Sequence, residues 1–182
     1  MIIDLSKFSN STFNRGAPAW KEALWLVVSL VLFRGSPFPL SSLKRAVLRL
    51  FGAQIGVGVV FKPQVKIKFP WKLSVGDYAW IGEESWLLNL DHITIGKSVC
   101  ISQRAFLCTG NHNYSVSTFD LFTRPIVVGD GAWIGAGCWV GPGVNVGSLA
   151  VLAAGSVATK DLEPMGIYSG NPAVFRKKRS IT

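Results

Sequence analysis

The sequence predicts an all-β solenoid, a parallel β-helix of hexapeptide repeats closed at its N-terminal end by a helical cap. Three observations carry this. From residue 55 onward a large apolar side chain returns every six residues. Glycine follows it at 56, 76, 82, 96, 129, 135, 141 and 147. A small residue stands four places after it at Ala79, Ser85, Ala105, Ala132, Cys138, Ala150 and Ser156. Neither the 3.6-residue period of a helix nor the alternation of a strand describes this pattern, and a six-residue period is a β-helix signature.

Residues 1–54 come first and do not share the repeat. Helices are expected over 20–33 and 41–51, separated by the breaker GSPFP at 35–39. In the second, Leu43, Ala46, Val47, Leu50 and Phe51 recur at helical spacing, with Lys44, Arg45 and Arg49 on other faces. Ser41 or Ser42 is placed to cap its start and Gly52 its end. A solenoid needs its open end covered, and a helical cap supplies the cover. The run Ala23–Phe33 is apolar throughout. Eleven residues make a helix of roughly 16 Å against a hydrocarbon core of ~30 Å, too short to span. It reads as a buried helix or one lying in a membrane interface.

The repeat then occupies 55–160. Its phase positions are Ile55, Phe61, Ile67 and Leu73, then Val75, Ile81, Leu87 and Ile93. Ile95, Ile101 and Leu107 follow, and after an interruption Val128, Ile134, Val140, Val146 and Leu152. One large side chain per repeat points inward, the small residue fits near a corner, and glycine is expected to permit the turn. The two-residue phase shifts at 73/75 and 93/95 read as local bulges or loosened corners. The loop 112–125, HNYSVSTFDLFTRP, breaks the pattern; a break this long inside a regular solenoid is often functional. Residues 161–182 are expected to form a loop and a basic tail.

Composition narrows the function. Of 182 residues 49% are apolar and mean hydropathy is +0.35, which excludes a disordered chain. Charged residues are only 16%, low for a soluble monomer, which points to burial by oligomerisation or membrane contact. The net charge of +9 is uneven: residues 1–72 hold eleven Lys/Arg and two Asp/Glu, whereas 73–160 hold four and six. A nucleic-acid site needs Lys/Arg along its binding face, so nucleic acid is not an expected partner. Basic ends suit anionic lipid or a phosphate-bearing ligand. Three cysteines (Cys100, Cys108, Cys138) without a CxxC argue against a zinc site or a disulfide framework and for reduced thiols in the cytoplasm. The opening MIIDLSKF lacks the basic and apolar regions of a secretory leader, and none is expected.

The chain resembles the hexapeptide-repeat acyltransferases, and within them the colanic acid biosynthesis acetyltransferases. The segments that carry this are LRLFGAQIG, FPWKLSVGDYAWIG, ITIGKSVCISQRAFLCTGNHNYS, RPIVVGDGAWIGAGCWVGPGVNVG and GSVATKD followed by GNPA. The repeat alone specifies only the superfamily; LCTGNHNYS with a downstream WIG, TKD and GNPA is more specific. The resemblance implies a left-handed β-helix and a homotrimer. It also implies acetyl-CoA as co-substrate and a cytoplasmic location, with the inner membrane face as a peripheral alternative. The activity implied is transfer of an acetyl group to a hydroxyl of a polysaccharide or its lipid-linked precursor. No metal is expected.

Acetyl transfer from a thioester to a hydroxyl needs a base, and histidine titrates near neutral pH. By resemblance His112, in TGNHNYS, falls on the family's catalytic histidine. His92, in NLDHITIG, falls on no catalytic position, and an exposed coil face suits it. The family's CoA contacts carry over to Ala136, Ala154, Thr159 and Lys160. They extend to Arg176 or Lys177, where AVFRKKR departs from the family's spacing. Asn89, Asp91 and Trp133 are candidates for the acceptor. Trp80 and Trp86, six apart, read as stacked on one face; Trp139 reads as a subunit contact. Cys138 reads as core, and Cys108 as a cleft residue with no evident activating group. N-acetylation of an amino-sugar nucleotide and a non-catalytic scaffold remain alternatives. The metal-dependent hydratases of this fold need three histidine ligands, and the chain has two histidines.

Overall fold

Each repeat folds as a strand of two or three residues and a corner, so three repeats make one coil with three walls. The computed structural model describes residues 3–11, 13–34 and 40–182; the breaker at 35–39 lies outside them. The first wall is the parallel series Gln54–Ile55, Leu73–Val75, Ile93–Ile95, Ile126–Val128 and Asn145–Val146. The second runs Val60–Phe61, Trp80–Ile81, Cys100–Ile101, Trp133–Ile134, Val151–Leu152 and Gly166–Gly170. The third runs Lys66–Ile67, Trp86–Leu88, Phe106–Cys108, Trp139–Val140 and Val157–Ala158.

The inward column of the second wall is Phe61, Ile81, Ile101, Ile134 and Leu152, each without solvent exposure. The other walls stack Ile, Leu and Val in the same way. Each such side chain taken fully from water contributes about 1.5–3 kcal/mol. Ala79, Ser85, Ala105, Ala132, Cys138, Ala150 and Ser156 are all buried at corners, and Val59, Val65, Val99 and Val144 fill the same position in the other repeats.

The repeat glycines serve a different purpose from the one expected. Gly129 and Gly135 are not in the left-handed region. They are sites of close approach: a Cβ at Gly135 would stand 2.5 Å from the Ala154 amide nitrogen, and one at Gly129 2.6 Å from that of Ser148. The left-handed corner residue lies two places further on. There Tyr78, Glu84, Ser98 and Arg104 adopt φ of +53 to +58, so a side chain is tolerated where the turn is made. Coil-to-coil spacing, not turn conformation, demands the glycine.

The phase shifts also have a definite form. Leu73–Val75 and Ile93–Ile95 are three-residue strands with both ends inward and the middle residue outward. The two residues gained sit at the preceding corner, between the third and first walls. In the first coil that corner is the 3₁₀ turn Pro70–Lys72. In the second it is the Asn89–His92 loop, and in the third the long interruption. All three departures from the repeat therefore stack on one corner of the solenoid.

The N-terminal helices are α1 (Ala19–Val28), which continues with π-helical winding over Ser29–Arg34, and α2 (Ser41–Leu50). Gly52 terminates α2 as expected. It adopts φ +97°, and the amides of Gly52 and Ala53 bond back to the carbonyls of Arg49 and Leu48, a Schellman arrangement. The start differs. Leu40 holds the cap position, and the Ser41 hydroxyl instead accepts from the Phe61 amide at 3.1 Å.

The face α2 turns inward is the expected one only in part: Phe51 is buried and Val47 packs against the core. Lys44 and Leu48 are buried, whereas Leu43 and Leu50 are exposed. The first coil has no preceding coil to satisfy its outward carbonyls, and an unpaired buried carbonyl is costly. The basic residues supply the donors. Arg49 bonds to Ile55 O at 2.7 and 2.9 Å, Arg45 to Val59 O at 2.7 Å and Lys44 to Lys62 O at 3.2 Å. Trp25 Nε1 reaches Ile67 O at 3.0 Å, so every wall receives a side-chain donor at this end. Burial pushes the Lys44 ammonium below its ordinary pKa.

The other end is closed by backbone. Residues 166–178 are not a loose tail: Gly166–Gly170 extends the second wall, and Ala173–Lys178 pairs with it antiparallel. Arg179 bonds to the carbonyls of Gly131 and Leu149 at 3.1 and 3.0 Å. Trp80 and Trp86 do not share a face. Six residues carry the chain from one wall to the next, so Trp80 lies on the second wall and Trp86 on the third, where it stacks on Phe106 at 4.6 Å.

Candidate active site

The long interruption at the irregular corner folds as an antiparallel hairpin. Gly110–His112 pairs with Leu121–Thr123, with His112 opposite Leu121, so the excursion opens two residues before the expected boundary. It leaves the solenoid between the third and first walls and projects His112 from its first arm.

The His112 side chain is half-buried and firmly held. Its Nδ1 lies 2.8 Å from the Phe119 carbonyl, and its ring stacks on that of Phe119 at 4.4 Å and 6°. The Phe8 ring covers it at 5.6 Å. A carbonyl only accepts, so Nδ1 carries a proton, and in the neutral ring Nε2 holds the lone pair. That is the tautomer a general base requires. Phe8 belongs to an N-terminal strap tied to the same loop by the Asp4 amide, which donates to Ser117 O at 2.9 Å. Phe8 and Phe119 escape sequence reasoning, because aromatic residues outside a repeat carry no positional signal.

Two hollows flank the hairpin. One, of about 300 Å³, is lined by Ser9, Asn10, Asn14, Lys72, Asp91 and Thr123 and is mostly polar. Asp91 is half-buried there; its carboxylate accepts from the His92 amide at 2.7 Å and from the Thr123 hydroxyl at 3.3 Å. Lys72 Nζ bonds to the carbonyls of Asn14 and Leu90. Burial lowers its pKa, and the nearby Asp91 charge offsets this in part. The second hollow, of about 240 Å³, joins Asn111, Phe122 and Arg124 of the hairpin to Trp139 and Thr159.

The other sequence-predicted residues fall in distinct places. Ala136 and Ala154 are both exposed, one coil apart at the corner between the second and third walls; the Gly155 amide donates to Ala136 O at 2.8 Å. Thr159 and the exposed Lys160 lie at the next corner, on the hairpin side. Arg176 is drawn onto Ser169, Nε to Oγ at 2.7 Å, while Lys177 is exposed. Trp133 sits on the second wall, its Nε1 donating to Ser102 Oγ at 2.9 Å, so within one chain it is not part of the hairpin corner. His92 is exposed.

Asn89 requires a correction: it is fully buried rather than open to a ligand. Its Oδ1 accepts from the amides of Lys68 and Phe69 at 3.1 and 3.0 Å, and its Nδ2 donates to Phe69 O. It ties the first two coils together at the irregular corner.

Among the described residues no group of three His, Cys, Asp or Glu side chains is placed to hold a metal ion. The thiols offer little nucleophilicity. Cys108 is buried against Gly110 O and Cys138 lies in the core, and burial pushes both thiols above their ordinary pKa. Replacing Cys108 with Ala is therefore expected to leave turnover near the parent value, and steady-state kinetics of that variant would expose any covalent role by its loss.

No family model matches the chain. It is 43% identical over 179 residues to the putative colanic acid biosynthesis acetyltransferase WcaF of Escherichia coli, covering 98% of each protein. The chain belongs to the hexapeptide-repeat acetyltransferases. Among solved structures, this acetyltransferase resembles one of the same repeat class from Vibrio cholerae, crystallised with acetyl coenzyme A. The TM-score is 0.81 at 24% identity, over 91% of this chain and 92% of that one. It also resembles a maltose O-acetyltransferase from Clostridium difficile, with a TM-score of 0.73 at 26% identity over 89% and 88% of the two chains. The hexapeptide-repeat acetyltransferase described here thus shares its fold with acetyltransferases over nearly its whole length.

Proposed function

We propose that this acetyltransferase moves an acetyl group from acetyl-CoA to a hydroxyl of a saccharide, a polysaccharide unit or its lipid-linked precursor, by direct transfer with His112 as general base. The observation that carries the reading is the Phe119 carbonyl on Nδ1, which leaves Nε2 ready to accept a proton. His112 takes the hydroxyl proton, the alkoxide attacks the thioester carbonyl, and backbone amides stabilise the tetrahedral oxyanion. Collapse expels CoA thiolate, to which His112 returns the proton. The polar hollow holding Asp91 suits a saccharide, whose hydroxyls need both donors and acceptors.

The hollow beside Thr159 suits the thioester end of acetyl-CoA, with Lys160 and Lys177 meeting phosphates and the Ala136–Ala154 corner meeting the pantetheine arm. These two CoA contacts lie at opposite edges of the third wall, and Trp133 lies on the second. A homotrimer, with prisms side by side, supplies the missing side of the cleft. The outward faces support this. Trp80, Trp86 and Trp133 are exposed on the second and third walls, while the first wall presents Gln54, Ser74, Thr94, Val127 and Asn145. Acetyl-CoA as co-substrate and the three free cysteines support a cytoplasmic location.

Calorimetric titration with acetyl-CoA tests the reading without knowledge of the acceptor. Micromolar binding at one site per chain is expected. Lys160→Ala should weaken it by about tenfold or more, the worth of a charge-assisted phosphate contact. No heat up to millimolar ligand would overturn the reading.

A further inference from the structure

We infer that the outward apolar face of the N-terminal helices is a docking surface for an anionic lipid bilayer. Over Ala23–Phe33, α1 and its π-helical extension carry apolar residues on all sides, with Ser29 the one polar residue. Trp25, Ser29 and Phe33 face the solenoid and are buried. The opposite side carries Trp20, Leu24, Val27 and Val31, and Trp20 is 68% and Val31 71% exposed. No charged residue occurs between Glu22 and Arg34. The solvent face of a helix in a soluble protein ordinarily carries charge, and a patch of this kind marks an interaction site. α2 adds Leu43 and Leu50, the latter 82% exposed, because its inward side was taken by the basic residues that satisfy the first coil. Both helices cover the same end of the solenoid.

Charge decides what covers this face. Residues 1–72 hold eleven of the nineteen Lys/Arg and two of the ten Asp/Glu. Glu22 is taken up by Arg15 and Lys68, and Asp4 by Lys7. Lys21 and Arg34 bracket the apolar run. Arg45 and Arg49 bond to neutral carbonyls and not to carboxylates. A second copy of this chain placed here would set like charges together, whereas acidic headgroups neutralise them. No described helix is long and apolar enough to cross a membrane, so the segment lies in the interface, with apolar side chains inserted and cations at headgroup level. The docking rests on none of the transferase reading. Its consequence for that reading is geometric: the coil bearing the His112 hairpin lies about 10 Å along the axis from the first, within reach of a sugar near the headgroups.

The test is co-sedimentation of the full chain with phosphatidylcholine vesicles, with and without phosphatidylglycerol. Binding is expected to vesicles containing phosphatidylglycerol, weakened by high salt and by roughly tenfold or more in a Val27→Glu/Val31→Glu variant. Unchanged acetyl-CoA affinity and thermal midpoint would show the variant folded; Leu50→Glu on α2 provides a second, independent substitution. No binding to either vesicle, or binding that the variants leave intact, would overturn the proposal. So would a wild-type assembly that dissociates in the variants while vesicle binding persists, since the face would then be a contact between copies.

Discussion

Replacing His112 with Ala is expected to lower turnover by about a hundredfold or more, the usual contribution of a positioned general base. Acetyl-CoA affinity and oligomeric state should stay at parent values. The side chain lies on a hairpin outside the core, so its loss removes one hydrogen bond to Phe119 O and a stacking contact, not a buried column. The deficit should fall on kcat, because the proton transfer occurs in the transition state and not in substrate binding. His112→Asn sharpens the test. It places a polar side chain at the same position but supplies no base, and should be nearly as inactive as the Ala variant. Turnover retained in either would remove His112 from the chemistry.

How much of this was legible in the sequence depends on what periodicity can report. The six-residue period separates inward from outward positions, and it placed Ile81, Ile134 and Cys138 correctly. It does not say which wall an outward residue occupies, so Trp80 and Trp86 read as neighbours although one corner separates them. The departures from the period proved more informative than the period. The shifts at 73/75 and 93/95 and the break after residue 109 fall at one corner of successive coils, and that corner carries Lys72, Asp91 and His112. The role of the repeat glycines was misread, because a sequence does not show how near the next coil passes.

The second helix shows a rule being overridden. Its apolar residues recur at helical spacing, and the ordinary inference is that they face the core. The first coil presents a row of carbonyls with no partner, and each left unpaired costs about 1–3 kcal/mol. Arg45, Arg49 and Lys44 turn inward to meet them, and Leu43 and Leu50 are left outside. Hydrogen-bond demand at an uncapped solenoid end outweighs the burial of two leucines. Only the topology, not the helix sequence, reveals that demand.

Asn89→Ala is expected to destabilise the irregular corner. The carboxamide bonds to three backbone groups, the amides of Lys68 and Phe69 and the Phe69 carbonyl, and is the partner of the buried Phe69 amide. The Lys68 amide keeps the Leu87 carbonyl and the Phe69 carbonyl keeps the Lys72 amide, so the loss orphans the buried Phe69 amide, at a cost of about 1–3 kcal/mol. Against a total stability of about 5–15 kcal/mol, that is enough to lower the urea midpoint measurably. Asn89→Asp would still accept from both amides but would lose the donor to Phe69 O and bury a charge, so it should also destabilise. Urea titration of the two variants separates a structural role from a substrate contact. A residue that touched only the acceptor would leave the midpoint in place and raise KM. The Asn89 bonds to Phe69 stand next to the turn that carries Lys72, and two residues before Asp91. Any activity lost in a partly folded Asn89 variant should therefore return when the corner is restabilised elsewhere. An Asn89→Ala protein that unfolds at the parent urea concentration yet fails to bind acceptor would return Asn89 to the binding site.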